Sequence, residues 1–232
     1  MMSNHHRPFV LAMVVSAIAL SLSALTRAQE PRRQLGTQEP RRSARLFPPE
    51  RLGELEGPDR ELWQKPDQIM DVLGIADGSK VADLGAGGGW FTVRLARRVG
   101  PQGMVYAEDV QEQMIESMER RLSREGLRNV KMVLGTSDNP MLPKDRLDAV
   151  LIVDVYHEVE QRVALLRYVR DSLRPQGRLG IVDFRKDGGG PGPAMEERID
   201  EAMVLTDAEA AGLRLLSREA FLPYQYLLIF GK

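Results

Sequence analysis

From Leu62 onward the apolar residues fall into short blocks of two alternating kinds. Leu62, Trp63, Ile69, Met70 and Leu73 recur at helical spacing, and Gly74 follows in the position of a C-cap. KVADLG (Lys80–Gly85) is a compact apolar run that ends in glycines, as a buried strand does. Trp90–Val99 returns to the helical period, with Phe91, Leu95 and Val99 on one side. A Pro101-Gln102-Gly103 turn then introduces a second strand, Met104–Ala107. The same reading predicts a helix over Glu112–Glu125, strands over Val130–Leu134 and Ala149–Val153, and a helix over Arg162–Leu173. After the turn Arg174-Pro175-Gln176-Gly177 comes a strand over Leu179–Phe184. Strands alternating with helices build right-handed βαβ units and a parallel sheet covered on both faces.

The pattern changes near the C-terminal end. A helix is expected around Ala194–Ala211, followed by two apolar strands, Leu213–Leu216 and Tyr224–Phe230, separated only by SREAFLP. So short a link permits an antiparallel pair and excludes a crossover helix. The expected fold is therefore α/β: a Rossmann-like, doubly wound sheet of seven strands, mostly parallel, closing with an antiparallel hairpin.

The first 28 residues are of another kind. Phe9–Leu25 is an uncharged, mostly apolar run of 17 residues, preceded by Arg7 and followed by Thr26-Arg27-Ala28. A secretory signal cleaved after Ala28 and a retained membrane anchor both fit. The arginines at 27, 32, 33, 41, 42 and 45 would hold the domain of an anchored chain in the cytoplasm. A cleaved signal would instead export it. Residues 29–60 read as an Arg/Pro-rich linker in which QEPRR occurs twice, with too little apolar surface to order residues up to about Arg45. The domain is expected over residues 61–232.

Composition narrows the chemistry. With no cysteine, disulfides, zinc–thiolate sites and thiol nucleophiles are excluded. A net charge of -1 offers no global field for nucleic acid, and the basic residues cluster in the linker. No nucleic-acid partner is expected.

The candidate chemistry gathers at the ends of the strands, where open α/β sheets hold their ligands. The first loop is Asp83-Leu84-Gly85-Ala86-Gly87-Gly88-Gly89. Trp90 stands where the dinucleotide fingerprint requires its third glycine, so a nicotinamide site is disfavoured. D-x-G-x-G-x-G fits without a mismatch. Together with VYAEDVQEQM and LDAVLIVDVYHEV…LRPQGRLGIVDF, this loop resembles the class I S-adenosylmethionine (SAM)-dependent methyltransferases. The likeness is to the group of the ubiquinone/menaquinone C-methyltransferases and the type 11/25 methyltransferases, and it runs from about Trp63 to Lys232.

The resemblance implies SAM as cofactor, with Asp83 near its methionine amino group and Gly85, Gly87 and Gly89 walling it. Asp109, 20 residues after Gly89, ends the second strand where a carboxylate accepts both ribose hydroxyls. Its neighbour Glu108 would point elsewhere in an extended strand and is the alternative if the register slips. Relatives commonly carry Gly-Asp-Ala after the third strand, the acid meeting the adenine amino group. Here Gly135-Thr136-Ser137-Asp138 displaces the acid, so that role falls to Asp138 through a longer loop or to a backbone amide, or Asp138 instead builds a turn with Asn139 and Pro140. After the fourth strand come Asp154, Tyr156 and His157, on the methyl side of the cofactor. His157 is a candidate general base, or alternatively a residue capping or packing at the start of the next helix, and Tyr156 a candidate pocket wall or cation–π contact to the sulfonium.

Asp154 and Asp183 end the strands where metal-dependent O-methyltransferases place acids, but the further ligand is not evident and no metal is expected. RKDGGGPGP after the fifth strand reads as a short flexible loop, and residues 45–64 and 185–198 are the candidate covers. The expected reaction is methyl transfer to a small-molecule acceptor, with a lipophilic or quinone-like compound suggested by the resemblance and by a membrane-proximal segment. Isoaspartyl-protein methylation and SAM binding without turnover are the alternatives.

Overall fold

The computed structural model describes residues 46–232, so the hydrophobic segment and the QEPRR duplication lie outside the described residues. Seven strands form one sheet in the order β3-β2-β1-β4-β5-β7-β6. They are β1 (Lys80–Leu84), β2 (Met104–Asp109), β3 (Val130–Leu134), β4 (Leu147–Val153), β5 (Leu173–Phe184), β6 (Arg214–Glu219) and β7 (Gln225–Gly231). The first five run parallel, and β7 is antiparallel to both β5 and β6. The doubly wound sheet with its closing hairpin is thus present as expected, with β7 inserted between β5 and β6.

Alternation along the strands explains why both faces are covered. On β1, Val81 packs with α2 (Pro66–Val72) and α3 (Trp90–Val99), while Ala82 and Leu84 face α5 (Arg162–Ser172) and α6 (Glu201–Ala210). On β4, Leu151 joins the first side, and Val150 and Ile152 join the second. α4 (Glu112–Arg124) sets Met118 and Leu122 against Ala107 and Val93, extending the α3 side. A residue period of two on the strands thus feeds two cores, one under each helical layer.

Three local departures from the expected elements have physical causes. The helix expected through Leu62–Leu73 is broken in two, α1 (Arg60–Gln64) and α2. Lys65 between them is left-handed, with φ 48°. Pro66 disfavours right-handed helix at the residue before it, and Lys65 takes the turn. Arg174-Pro175-Gln176-Gly177 does not precede the strand but bulges within it, because Leu147 pairs Leu173 and Ala149 next pairs Arg178. α6 starts only at Glu201, where the Asp200 carboxylate accepts the Ala202 N–H at 3.0 Å as an N-cap.

Residues 46–60, expected as the end of a linker, are ordered against the domain, with a 3-10 helix over Pro49–Leu55. The glycine-rich stretch after β5 is also organised. Arg198 is buried against the Phe184 ring, and its guanidinium donates to the carbonyls of Arg185, Gly188 and Pro193. Among the described residues no helix is long and apolar enough to cross a membrane.

Candidate active site

The strand order reverses between β1 and β4, and the crevice beyond their carboxyl ends is where such sheets take ligands. On one side of it lies the glycine loop. Gly85, Gly87 and Gly89 have φ values of 71°, 54° and 82°, a region that residues with a Cβ rarely enter. A Cβ at Gly85 would lie 2.6 Å from the Val155 side chain, so the loops after β1 and β4 touch. The alternating glycines thus let the backbone coil tightly and turn directly into α3.

Acids surround this loop. Asp83, at the end of β1, accepts the Thr92 hydroxyl at 2.6 Å, and burial pushes its carboxyl up to about 6. Asp109 accepts the Gly87 N–H and the Gln111 N–H, each at 2.9 Å. Burial raises its pKa against those bonds. The Val110 N–H adds a third backbone bond, which leaves the carboxylate room for a further donor. Glu108 does not turn away from the loop. Its carboxyl is buried, accepts the Gly85 N–H at 3.3 Å, and fills the space a side chain at Gly135 would need. Burial drives it up to about 8 against the Gly85 hydrogen bond, with Asp109 and Asp83 adding repulsion.

Across the crevice, Asp154 is held in a left-handed conformation, φ 59°. Its carboxylate meets Gln64 Nε2 and Arg60 Nη2, each at 3.5 Å, and accepts from Gln225 Nε2. Burial raises it to about 7, with Arg60 opposing. His157 lies in a short 3-10 turn, Tyr156–Glu158, rather than capping a regular helix. Its Nδ1 is 3.0 Å from both oxygens of Asp183, and its backbone N–H donates to Asp183 Oδ2 at 3.0 Å. Asp183 is fully buried on β5. Burial of the ring works against its charged form, but the hydrogen bond and charge of Asp183 outweigh it, helped by Glu158 and Asp154, and the His157 pKa stands raised. With Nδ1 engaged, Nε2 is the nitrogen left to exchange a proton; its neighbour is Glu158 at 3.8 Å.

Two candidates are placed otherwise than expected. Tyr156 is fully buried in the core beside β4, and its hydroxyl donates to Asp207 at 3.1 Å, so it walls no open pocket. Asp138 is exposed and accepts the Thr136 hydroxyl at 2.8 Å, while Thr136 and Asn139 bond each other's backbone. The loop closes on itself as a turn, the alternative that the sequence left open for Asp138.

The N-terminal cover crosses from one loop to the other. The Phe47 N–H donates to Glu158 Oε2 at 3.4 Å, and the Phe47 carbonyl accepts from Gln111 Nε2 at 3.0 Å. Leu52 lies over Gly87 and Gly88, and Glu56 pairs with Arg121 on α4. Residues 46–56 therefore strap the glycine loop to the His157 loop. Sequence reading named residues 45–64 as a cover but not the contacts this strap makes, and it missed the Asp183–His157 pairing and the buried Arg60, Gln64 and Gln225. One signal was available: Arg60 and Gln64 stand four apart beside a proline, on one face of a helical turn.

A family model described as "Methyltransferase domain" matches residues 75–215 of the chain. The chain belongs to the methyltransferase domain family. A solved relative, a SAM-dependent methyltransferase from Aquifex aeolicus, is 28% identical with a TM-score of 0.76. The match covers 80% of this chain and 98% of that one. The [4+2]-cyclase SpnF, at TM-score 0.63 and 16% identity over 73% of this chain and 80% of its own, shares the fold alone. Among curated proteins, the ubiquinone/menaquinone biosynthesis C-methyltransferase of Pseudomonas putida is 29% identical over 57% of this chain and 51% of its own. The protein of that name from Pasteurella multocida is 33% identical over 50% and 44%. The chain thus spans about half the length of these curated relatives.

S-adenosylmethionine is the methyl donor that this methyltransferase domain implies, and the crevice fits it. The donor carries a sulfonium, an ammonium, a carboxylate and a ribose diol. The site offers a glycine coil open to close approach, buried acids on both sides of the crevice for the cations, and remaining acceptor capacity on Asp109 for the diol. No group of three or more His, Cys, Asp or Glu among the described residues is arranged to hold a metal.

Proposed function

We propose that the chain is an enzyme that moves the methyl group of S-adenosylmethionine to a lipophilic, quinone-like small molecule, with His157 as the group that accepts the acceptor's proton. The observation that carries the reading is the His157–Asp183 pair at the ends of β4 and β5, facing the glycine loop across the crevice. The donor supplies a methyl already activated on a sulfonium, so the protein's share is positioning and exclusion of water. Asp83 lies toward the ammonium and Asp109 holds the ribose diol. The strap over Gly87 and Gly88 keeps bulk water out.

A proton has to leave when an enol, a phenol or a ring carbon is methylated. A neutral imidazole with its Nδ1–H fixed on Asp183 presents Nε2 as a base near neutral pH. The quinone-like acceptor is supported by likeness to the ubiquinone/menaquinone C-methyltransferases, at 27% to 33% identity. Membrane association through the N-terminal segment, as a retained anchor or before export, is part of the same proposal.

Two measurements test this in sequence. Calorimetric titration with S-adenosylmethionine should give micromolar binding, which Asp109→Ala should weaken at least tenfold; a folded chain that binds none refutes the donor site. Incubation with methyl-labelled donor and separated cell extracts should place label in the isoprenoid quinol fraction. Label only in a water-soluble fraction would remove the quinone-like acceptor and leave methyl transfer standing.

A further inference from the structure

Three aromatic rings from distant segments meet beyond the carboxyl end of β5. Trp63 on α1 lies 5.9 Å from Phe184 and 6.3 Å from Tyr224, centroid to centroid, tilted to the first and edge-on to the second. The cluster adjoins the acid side of the crevice. Phe184 pairs with Gln225 across β5 and β7, so their side chains rise from the same face of the sheet. Gln225, which follows Tyr224, and Gln64, which follows Trp63, both reach the Asp154 carboxylate. Phe184 itself follows Asp183, the partner of His157. Each ring thus stands one residue, about 3.8 Å of chain, from a side chain that shapes the candidate site.

What covers two of these rings is bare backbone. Gly190 and Gly192, in the loop after β5, have φ values of 81° and 119°. A Cβ on Gly190 would run into the Tyr224 ring, and one on Gly192 would lie 2.7 Å from the Phe184 ring. The loop is exposed on its outer side over residues 189–192. Among the described residues, no backbone hydrogen bond ties residues 189–193 to another segment. One side chain does that work: the Arg198 guanidinium donates to the carbonyls of Pro193 at 3.0 Å, Gly189 at 3.4 Å and Arg185 at 2.8 Å. The same guanidinium stands 5.1 Å from the centroid of Phe184. The cover is therefore held at one point and lies on the rings without side chains of its own.

We infer that residues 186–193 are a removable cover, and that the Trp63–Phe184–Tyr224 cluster beneath it is the seat for a planar, apolar ring of the methyl acceptor. The inference rests on the quinone-like acceptor proposed above and gives its ring a place. Aromatic rings whose centroids lie roughly 4.5–7 Å apart attract one another by offset or edge contact, and a flat ring entering here meets three of them. Glycine at 190 and 192 lets the backbone close onto the rings when the seat is empty, where any side chain would prop it open. Arg198 is the latch. Because the seat is free only in the open fraction of molecules, the closed cover lowers the apparent affinity for the ring by that fraction. Propping the cover open should therefore tighten binding.

The probe is menadione, a two-ring quinone without an isoprenoid tail; the chain has no cysteine to react with it. Its binding to the full chain is measured by equilibrium dialysis, with S-adenosylhomocysteine in every sample. Arg198→Met removes the latch, and Gly192→Ala sets a Cβ against the Phe184 ring. Each should bind menadione about three- to tenfold more tightly than wild type. Tyr224→Ala removes one wall of the seat and should weaken binding about tenfold, and combined with Gly192→Ala it should cancel the gain. Unspecific uptake by a loosened fold would survive Tyr224→Ala. Gly192→Ala carries the comparison by itself if Arg198→Met loses its cooperative melt. Opened variants that bind no more tightly than wild type would overturn the cover. Binding that Tyr224→Ala leaves unchanged would overturn the seat and leave the quinone-like acceptor standing. No binding to wild type or to either opened variant would remove the seat and the quinone-like acceptor together.

Discussion

Glu108→Gln isolates the cost of a carboxyl buried beneath the glycine loop. Glutamine has nearly the same shape and still accepts the Gly85 N–H through its carbonyl oxygen, so packing is retained and only the ionisation is removed. In the folded chain burial lifts the Glu108 pKa from its ordinary 4.5 to about 8. Between those values the folded state holds a proton that the unfolded state has released. Stability contributed by this group is therefore complete below pH 4.5 and is lost as pH rises through about 8. At 1.36 kcal/mol per pH unit, the gap amounts to up to about 5 kcal/mol at pH 8.5 and about 3 kcal/mol at pH 7.

Urea unfolding followed by the fluorescence of Trp63 and Trp90 gives the free energies of both proteins across pH 5 to 8.5. Asp83 and Asp154 also sit high, but the burial that raises them is the same in both chains and cancels in the difference. The two proteins should be within about 1 kcal/mol of each other at pH 5, and the glutamine variant should gain steadily from there up to about pH 8. Each kcal/mol corresponds to about 2–4 °C in Tm for a domain of this size, so melts can check the result. A difference that stays flat from pH 5 to 8.5 would mean that Glu108 ionises as in water, and the account of its burial would be wrong.

Two further outcomes are expected. Asp183→Asn removes the partner that holds the His157 pKa up while burial goes on lowering it. The acid limb of the methyl-transfer pH profile should therefore move to lower pH in the variant, with the plateau rate reduced up to about 100-fold; an unmoved midpoint would exclude His157 as the base. Gly89→Ala places a Cβ at φ 82° and 3.0 Å from Met118 Cγ. It should cost about 1–2 kcal/mol, read as a fall in Tm of several degrees, and an unchanged melt would show that the loop relaxes freely.

Much of this architecture was legible because the strands carry their own signatures. Val130–Leu134 and Trp90–Val99 were bounded to the residue, since apolar period and flanking glycines agree there. The glycine loop and Asp109 were legible for the same reason, as local spacing reports backbone geometry directly. Features made by distant segments were not. Nothing around Asp183 announces that its carboxylate meets a ring 26 residues earlier, or that Gln225 on the last strand reaches Asp154. Glu108 misled in a different way: alternation along an extended strand turns successive side chains apart, yet a long side chain at the strand's end curls back under the loop. The strap over residues 46–56 was legible only as a candidate cover, without its contacts. Its prolines and charges resemble a linker, and only the packing of Leu52 and the backbone bonds of Phe47 give it a place.

The contact between Gly85 and Val155 bears on how such a domain could be retargeted. Because the two loops share a wall with no room for one methyl group, residues around 155 cannot be enlarged to suit a new acceptor without disturbing the donor's seat. Variation in what the enzyme accepts is thereby pushed outward, to the strap, to α1 and to the Arg198-centred loop. Those segments lie outside the sheet and can be exchanged while the centre is left alone. A designer seeking a different acceptor would randomise those borders first and hold the meeting point of the two loops constant.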